Sequence, residues 1–126
     1  MKNIYIVDRD DSFPEIMQLI LNEDRPGEYE FFGTTSGSIL LHKIKKETPD
    51  VVFVGVRLPE YDYLDLIEEI RRNYPDLPII LNTSREDLAD HPRASFATLW
   101  FKKFVDSERV EKAIAEAIER HSYCDA

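Results

Sequence analysis

The sequence predicts an α/β domain built on a five-stranded parallel sheet with helices on both faces. Short apolar runs rich in β-branched residues alternate with longer stretches of helical period, and the order begins with a strand. The run Val51–Val56 is apolar on both faces, as in a strand covered on both sides. The length of 126 residues and the hydrophobic content of 43% fit one domain, 1–126, with a core over about 3–120 and a tail at 121–126.

The first strand and helix are marked by clear boundary signals. Ile4–Val7 is a β-branched apolar run that ends at Asp8. Ser12–Glu15 reads Ser-Phe-Pro-Glu, a capping box with proline in the first turn, so we expect the helix to begin at Ser12. Ile16, Leu19 and Ile20 follow at helical spacing as one apolar stripe, until Pro26-Gly27 breaks the chain.

The second strand and helix are shorter. Tyr29–Phe32 is the expected strand, and Ser36 or Ser38 can begin the helix that follows. That helix ends in three lysines, which suit a helix C-terminus because the last carbonyl groups carry partial negative charge.

The middle of the chain repeats the alternation. The buried strand Val51–Val56 is followed by a helix over Leu64–Arg72, which closes before Pro75. Leu77–Leu81 is the expected fourth strand. A short helical stretch at Ser84–His91 then ends at a proline.

The last strand and helix complete the fold. Thr98–Phe101 is the expected fifth strand, and one apolar face runs along a helix from about Ser107 to Arg120. Right-handed crossovers leave few topologies for such a chain, and the flavodoxin-like strand order 2-1-3-4-5 is common at this length.

Composition excludes several functions. The net charge of −9 argues against direct nucleic-acid binding, because phosphate contacts need clustered basic residues. No glycine-rich nucleotide motif follows the first strand, and the single Cys124 cannot form a disulfide within the chain. The absence of a signal peptide and of a long apolar segment leads us to expect a cytoplasmic protein without membrane contact.

The functional edge of such a sheet lies beyond the carboxyl ends of its strands. Asp8 ends the first strand and has the best claim on that edge. Asp10 and Asp11 could join it in holding Mg²⁺, but they fit better as stabilisers of the first helix N-terminus. Thr83 could donate a hydroxyl to the edge or cap a helix, and a lysine after the fifth strand could bind an anion there.

With these residues in view, the chain resembles a response-regulator receiver domain over about residues 3–120. The likeness is carried by the order and spacing of Ile4–Asp8, Pro49–Val54, Leu58–Asp62, Leu64–Arg72, Leu77–Ser84 and Phe101-Lys102. In that family an acidic pair and a phosphoacceptor aspartate hold Mg²⁺, and the aspartate takes a phosphoryl group from a phosphohistidine of a partner. A Thr or Ser and a Lys bind the phosphoryl oxygens.

The resemblance assigns positions in this chain and also exposes departures. Asp8, Thr83 and Lys102 fall on family positions, and Leu99 falls on the aromatic switch position. Arg9 replaces the second acidic residue, and the acceptor position is Gly55, which has no side chain to attack phosphorus.

Four further family positions also differ. Lys103 replaces the proline after the conserved lysine, Tyr63 replaces a glycine, and Ser95-Phe96 replaces a small pair before the fifth strand.

These departures indicate a pseudo-receiver, in which the scaffold is kept and the switch chemistry is lost. The former phosphorylation pocket comprises Asp8, Arg9, Gly55, Arg57, Thr83 and Lys102. Asp8 is the only residual metal ligand, so we expect no cofactor and weak or absent Mg²⁺ binding. Arg9 could pair with Asp8 and occupy the cation position.

The leading hypothesis is a phosphorylation-independent protein–protein interaction module in two-component signalling, not an enzyme. Its partner would be a histidine kinase, an output protein or an adaptor. The expected interaction surface comprises Phe96, Leu99, Trp100 and Lys103, although Phe96 and Trp100 could instead be core residues.

Two alternatives stay open. A different carboxylate, Asp62 or Asp10, could serve as acceptor in a residual phosphorelay, although it would lack the charge stabilisation of a metal cluster. The domain could also sense a small anion, because Gly55 leaves space near Arg9, Arg57 and Lys102.

Overall fold

The computed structural model describes residues 2–83, 92–101 and 107–124, and five parallel strands form one sheet. The strands are β1 (Lys2–Val7), β2 (Tyr29–Thr34), β3 (Val51–Gly55), β4 (Ile79–Asn82) and β5 (Leu99–Phe101). Their spatial order is β2-β1-β3-β4-β5, and every neighbouring pair is parallel. The predicted flavodoxin-like class and strand order are therefore confirmed.

The helices lie between the strands in the sequence. They are α1 (Ser12–Asp24), α2 (Gly37–Lys46), α3 (Tyr63–Asn73) and the C-terminal α4 (Ser107–Cys124), with a short 3-10 helix at Pro92–Phe96. The helix α4 continues four residues beyond the predicted end at Arg120. The predicted helix Ser84–His91 lies outside the described residues.

The helix starts follow from local hydrogen bonds, with one correction. The Ser36 hydroxyl accepts the Ile39 amide at 3.2 Å, and the Asp62 carboxylate accepts the Leu64 amide at 2.8 Å. Ser12 was expected to cap α1, but its own amide and hydroxyl donate to Asp10 Oδ1 at 3.0 and 2.6 Å. The carboxylate of Asp10, two residues before Ser12, has the capping role instead, because it accepts both of these hydrogen bonds.

The sheet has a buried apolar cluster on each face. One cluster packs α2 and α3 against one side of β1, β3 and β4, and the other packs α1 and α4 against the opposite side. All five residues of β3 are buried, as the continuous apolar run predicts for the central strand. Within the described ranges, no helix combines the length and the apolar character needed to cross a membrane.

Two arginines fasten the segment before β5 to α3. The Arg71 guanidinium donates to the carbonyl of Phe96 at 3.0 Å and to the Thr98 hydroxyl at 3.3 Å. The Arg93 guanidinium donates to Asp65 at 2.6 Å and to Glu68 at 3.1 Å. The 3-10 helix is thereby tied to α3 through both side chains and backbone.

Candidate functional site

Three polar side chains are buried together at the carboxyl edge of the sheet. Asp8 follows β1, Asn82 ends β4 and Thr83 follows it, and each is only 2% exposed. Gly55, the last residue of β3, pairs in register with Asn82. Parallel strands bring these ends to one edge, so the fold itself assembles the site.

The Asp8 carboxylate is held through both of its oxygens. Oδ1 accepts the backbone amide of Asp10 at 2.9 Å, and Oδ2 accepts the Asn82 side-chain amide at 3.1 Å. A buried carboxylate requires such donors, because its removal from water would otherwise be costly. The orientation of Asp8 is therefore set by its neighbours.

Gly55 lies against this carboxylate. A β-carbon placed on Gly55 would lie 2.8 Å from Asp8 Oδ2, 3.2 Å from its Cγ and 3.3 Å from its Cα. The expectation of open space beside Gly55 is therefore wrong, because the Asp8 side chain occupies that space. A side chain at position 55 requires Asp8 to move.

Only one end of the Asn82 side-chain amide is hydrogen-bonded. Its amide nitrogen donates to Asp8, while its Oδ1 is buried without a hydrogen-bond partner. An unpaired buried acceptor costs stability. The sequence analysis gave Asn82 no role, although a polar residue at the end of an apolar strand is the signal that could have found it.

Two basic residues of the expected pocket, Arg9 and Arg57, are not in the buried cluster. Arg9 and Arg57 are exposed, and Lys102 lies outside the described residues. Among the described residues no ion pair joins Arg9 to Asp8, so the expected pairing is wrong there. The Asp8 carboxylate is instead held by the Asp10 amide and Asn82.

The other candidate carboxylates have structural roles. Asp10 accepts the amide and hydroxyl of Ser12 at the start of α1, as its expected capping role requires. Asp62 accepts the Leu64 amide at the start of α3. Asp11 is the residue before α1 and makes no side-chain capping bond.

Only part of the expected interaction surface lies among the described residues, and that part is half-buried. Phe96 and Leu99 are half-buried, and each packs against one of the two apolar clusters. Lys103 and the side chain of Trp100 lie outside the described part of the chain. Arg71 accounts for the position of Phe96, since it binds that residue's carbonyl group.

Large apolar side chains are exposed elsewhere. Ile16 and Leu19, one turn apart on α1, are 42% and 71% exposed, and Ile39 on α2 is 53% exposed. The predicted apolar stripe of Ile16, Leu19 and Ile20 is therefore wrong as the buried face of α1. The buried residues of the helix are instead Phe13, Met17 and Leu21. Which apolar residues are buried depends on which side of α1 meets the sheet.

The sheet is doubly wound and has the strand order 2-1-3-4-5, which defines a flavodoxin-like α/β domain. A buried aspartate follows β1 and a buried threonine follows β4. The particular family follows from sequence comparison. The chain belongs to the response regulator receiver domain family, whose sequence profile matches residues 4–118. Receiver domains are signalling modules of two-component systems that interact with kinases and output domains.

Individual relatives agree with this assignment. The chain is 29% identical over 90 residues to the DNA-binding transcriptional regulator NtrC of Proteus hauseri, covering 68% of this chain and 18% of that protein. It is 27% identical over 118 residues to the transcriptional regulatory protein ZraR of Klebsiella oxytoca, covering 92% of this chain and 26% of that protein. The chain thus spans about a quarter or less of these relatives.

Solved structures share the fold. A response regulator receiver domain protein from Clostridium thermocellum superposes with a TM-score of 0.82 at 22% identity, covering 98% of this chain and 99% of that one. The response regulator TrrA of Thermotoga maritima, solved with Mg²⁺-BeF, gives a TM-score of 0.78 at 24% identity, covering 93% and 99% of the two chains.

The described residues at this edge do not fit the Mg²⁺ ion with which TrrA was solved. Both oxygens of Asp8 already face N–H donors, and Mg²⁺ requires several well-placed oxygen ligands. Within the described ranges no three His, Cys, Asp or Glu side chains converge on one point. The pocket is therefore organised around hydrogen bonds to Asp8.

Proposed function

We propose that this receiver domain is a pseudo-receiver, a protein–protein interaction module that works without aspartyl phosphorylation. The observation that carries the proposal is Gly55 at the end of β3, with the Asp8 carboxylate in the volume that a side chain there would need. By family resemblance this is the phosphoacceptor position. Glycine offers no nucleophile, and the Asp8 oxygens are engaged by N–H donors.

The alternative functions lack a supporting contact. Asp10 and Asp62 each accept a helix-terminal amide, so phosphorylation of either would disrupt a helix start. An anion sensor beside Gly55 would place negative charge next to a carboxylate that fills the space. We therefore favour docking, which needs none of this chemistry.

The exposed apolar pair on α1 supports that helix as the docking face. Ile16 and Leu19 are more exposed than Phe96 and Leu99, which pack on the core. The exposed acidic residues Glu15 and Glu23 border the pair on the same helix. Such a stripe fits a partner helix with an apolar face and basic flanks.

The partner proposed is a cytoplasmic signalling protein, namely a histidine kinase, an output protein or an adaptor. The net charge of −9 supports a protein partner over nucleic acid. The proposed role is binding and not catalysis, since a domain without the acceptor carboxylate has no group on which to carry the phosphoryl transfer.

The test compares matched variants in binding to purified histidine kinases and response-regulator output proteins of the source cell. Leu19→Lys is expected to weaken the complex at least tenfold, while Ile39→Lys, a similarly exposed position on α2, leaves it unchanged. Wild-type affinity should not change when a phosphodonor and Mg²⁺ are added. Binding that requires the phosphodonor would contradict the proposal.

A further inference from the structure

We propose that Asn82 holds the Asp8 carboxylate beside Gly55, and so keeps this pocket closed to phosphorylation even if an acceptor is restored at position 55. The inference rests on the proposed function and deepens it. It identifies a residue that maintains the inactive pocket, in addition to the residue that is missing from it.

One oxygen of Asp8 takes part in both contacts. Asp8 Oδ2 accepts the Asn82 amide at 3.1 Å, and the same Oδ2 lies 2.8 Å from the β-carbon position at Gly55. A side chain at 55 and this hydrogen bond therefore compete for one position of Asp8. Restoring a carboxylate at 55 requires Asp8 to turn away from Asn82.

The second oxygen limits that turn. Asp8 Oδ1 accepts the Asp10 amide at 2.9 Å, so rotation of the carboxylate breaks two hydrogen bonds in a buried setting. Donors left unpaired by the rotation would carry a desolvation penalty. The backbone adds to the restriction, because the Cα of Asp8 is itself 3.3 Å from the β-carbon position.

The residue type at position 82 also points to this role. The other residues of β4, Ile79–Leu81, are buried and apolar. Asn82 is buried among them with an unpaired Oδ1, which an isosteric leucine would avoid. The hydrogen bond from its side-chain amide to Asp8 supplies a reason for an asparagine at this position.

The experiment uses three variants of the full chain with acetyl phosphate and Mg²⁺. The restored variant carries Gly55→Asp and Arg9→Asp, which return the two carboxylates that the family resemblance requires. The released variant adds Asn82→Leu, and the control adds Asn73→Leu, at an exposed asparagine at the end of α3. In the reaction a carboxylate oxygen at position 55 bonds to phosphorus as the bond from phosphorus to acetate breaks.

Intact-mass measurement with fragment mapping reads the outcome. We expect the released variant to be phosphorylated at position 55 at least tenfold more than the restored variant and the control. Equal modification of the restored and released variants, or none in either, would overturn the role of Asn82. Modification of the wild-type chain would overturn the proposed function instead, so the two failures are distinguishable.

Thermal unfolding gives a second readout that needs no phosphorylation and also checks that each variant folds. Gly55→Ala is expected to lower the Tm of the wild-type chain. In the Asn82→Leu background the same substitution should lower it by less than half as much, because the hydrogen bond that holds Asp8 Oδ2 beside position 55 is gone. An equal loss in both backgrounds would show that Asn82 does not hold Asp8.

Discussion

Asp8 Oδ2 lies 2.8 Å from the point at which a β-carbon on Gly55 would sit. The position of the Asp8 carboxylate after β1 therefore depends on the glycine at the end of β3. The glycine admits the carboxylate, and any side chain at position 55 would have to displace it.

This contact predicts the cost of the smallest side chain at position 55. Gly55→Ala should lower the free energy of unfolding by about 1–3 kcal/mol, the usual cost of overpacking a filled site. Urea denaturation of the alanine variant measures it. In an Asp8→Ala background the loss should fall by more than half, and an undiminished loss there would mean that the clash lies elsewhere.

Arg71 is predicted to be a main stabiliser of the corner between α3 and β5. Its guanidinium donates to the Leu77 carbonyl at 2.6 Å, the Pro75 carbonyl at 3.0 Å and the Phe96 carbonyl at 3.0 Å. Arg71→Met should cost about 2–4 kcal/mol, because hydrogen bonds from charged donors to partly buried acceptors are strong.

The neighbouring Arg72 provides the control for that experiment. Its side chain is 74% exposed and its contact with Glu68 is long, at 3.9 Å. Arg72→Met should therefore change the free energy of unfolding by less than about 1 kcal/mol. Equal effects at the two positions, measured by urea denaturation, would refute the special role of Arg71.

The ion pairs of Arg93 are predicted to hold the 3-10 helix in a salt-dependent way. Hydrogen bonding to Asp65 raises the pKa of Arg93, with Glu68 adding to the effect. Arg93→Gln should speed amide hydrogen exchange across residues 92–98, and high salt should bring wild type closer to the variant.

Lys112→Gln is the matched control for Arg93. It removes an exposed pair with Glu108 on α4 and should leave exchange at 92–98 unchanged. Exchange rates that do not respond to Arg93→Gln would show that Arg71 alone fastens the segment.

Stability is predicted to fall in alkaline solution. Burial raises the pKa of Tyr5, with Glu47 and Glu30 adding to the effect, and burial also raises the pKa of Tyr29. The unfolded chain therefore loses these protons first, near pH 10, and the free energy of unfolding decreases as the pH rises further.

Tyr5→Phe tests this pH dependence at one position. The variant should show a shallower loss of stability above about pH 10 than wild type, followed by urea denaturation at each pH. It also removes the hydrogen bond to the Glu47 carbonyl, so its stability at neutral pH is the reference. A slope equal to that of wild type would contradict the assignment.

The fold followed from the sequence because the signals were local and periodic. The apolar run Val51–Val54 could only be a central strand, and the cap at Asp62 follows from one side chain and one amide. The end of α4 and the capping residue of α1 were predicted incorrectly, since they depend on more than the helical pattern.

The candidate site was predictable only in part. The position of Asp8 and Gly55 at one edge followed from strand order, whereas the direction of the Asp8 carboxylate did not. It depends in part on a hydrogen bond from Asn82, which lies 74 residues away in sequence. The exposure of Leu19 was not predicted, because helical period alone does not show which apolar residues of α1 contact the sheet.

The central claim is that this receiver domain works without a phosphoacceptor. The most direct test is intact-mass measurement of the wild-type chain after incubation with acetyl phosphate and Mg²⁺, alongside an ordinary receiver domain as positive control. The account predicts that the control gains a phosphoryl group while this chain keeps its mass. A phosphoryl group on this chain that is lost on hydroxylamine treatment, as expected of an acyl phosphate, would contradict it.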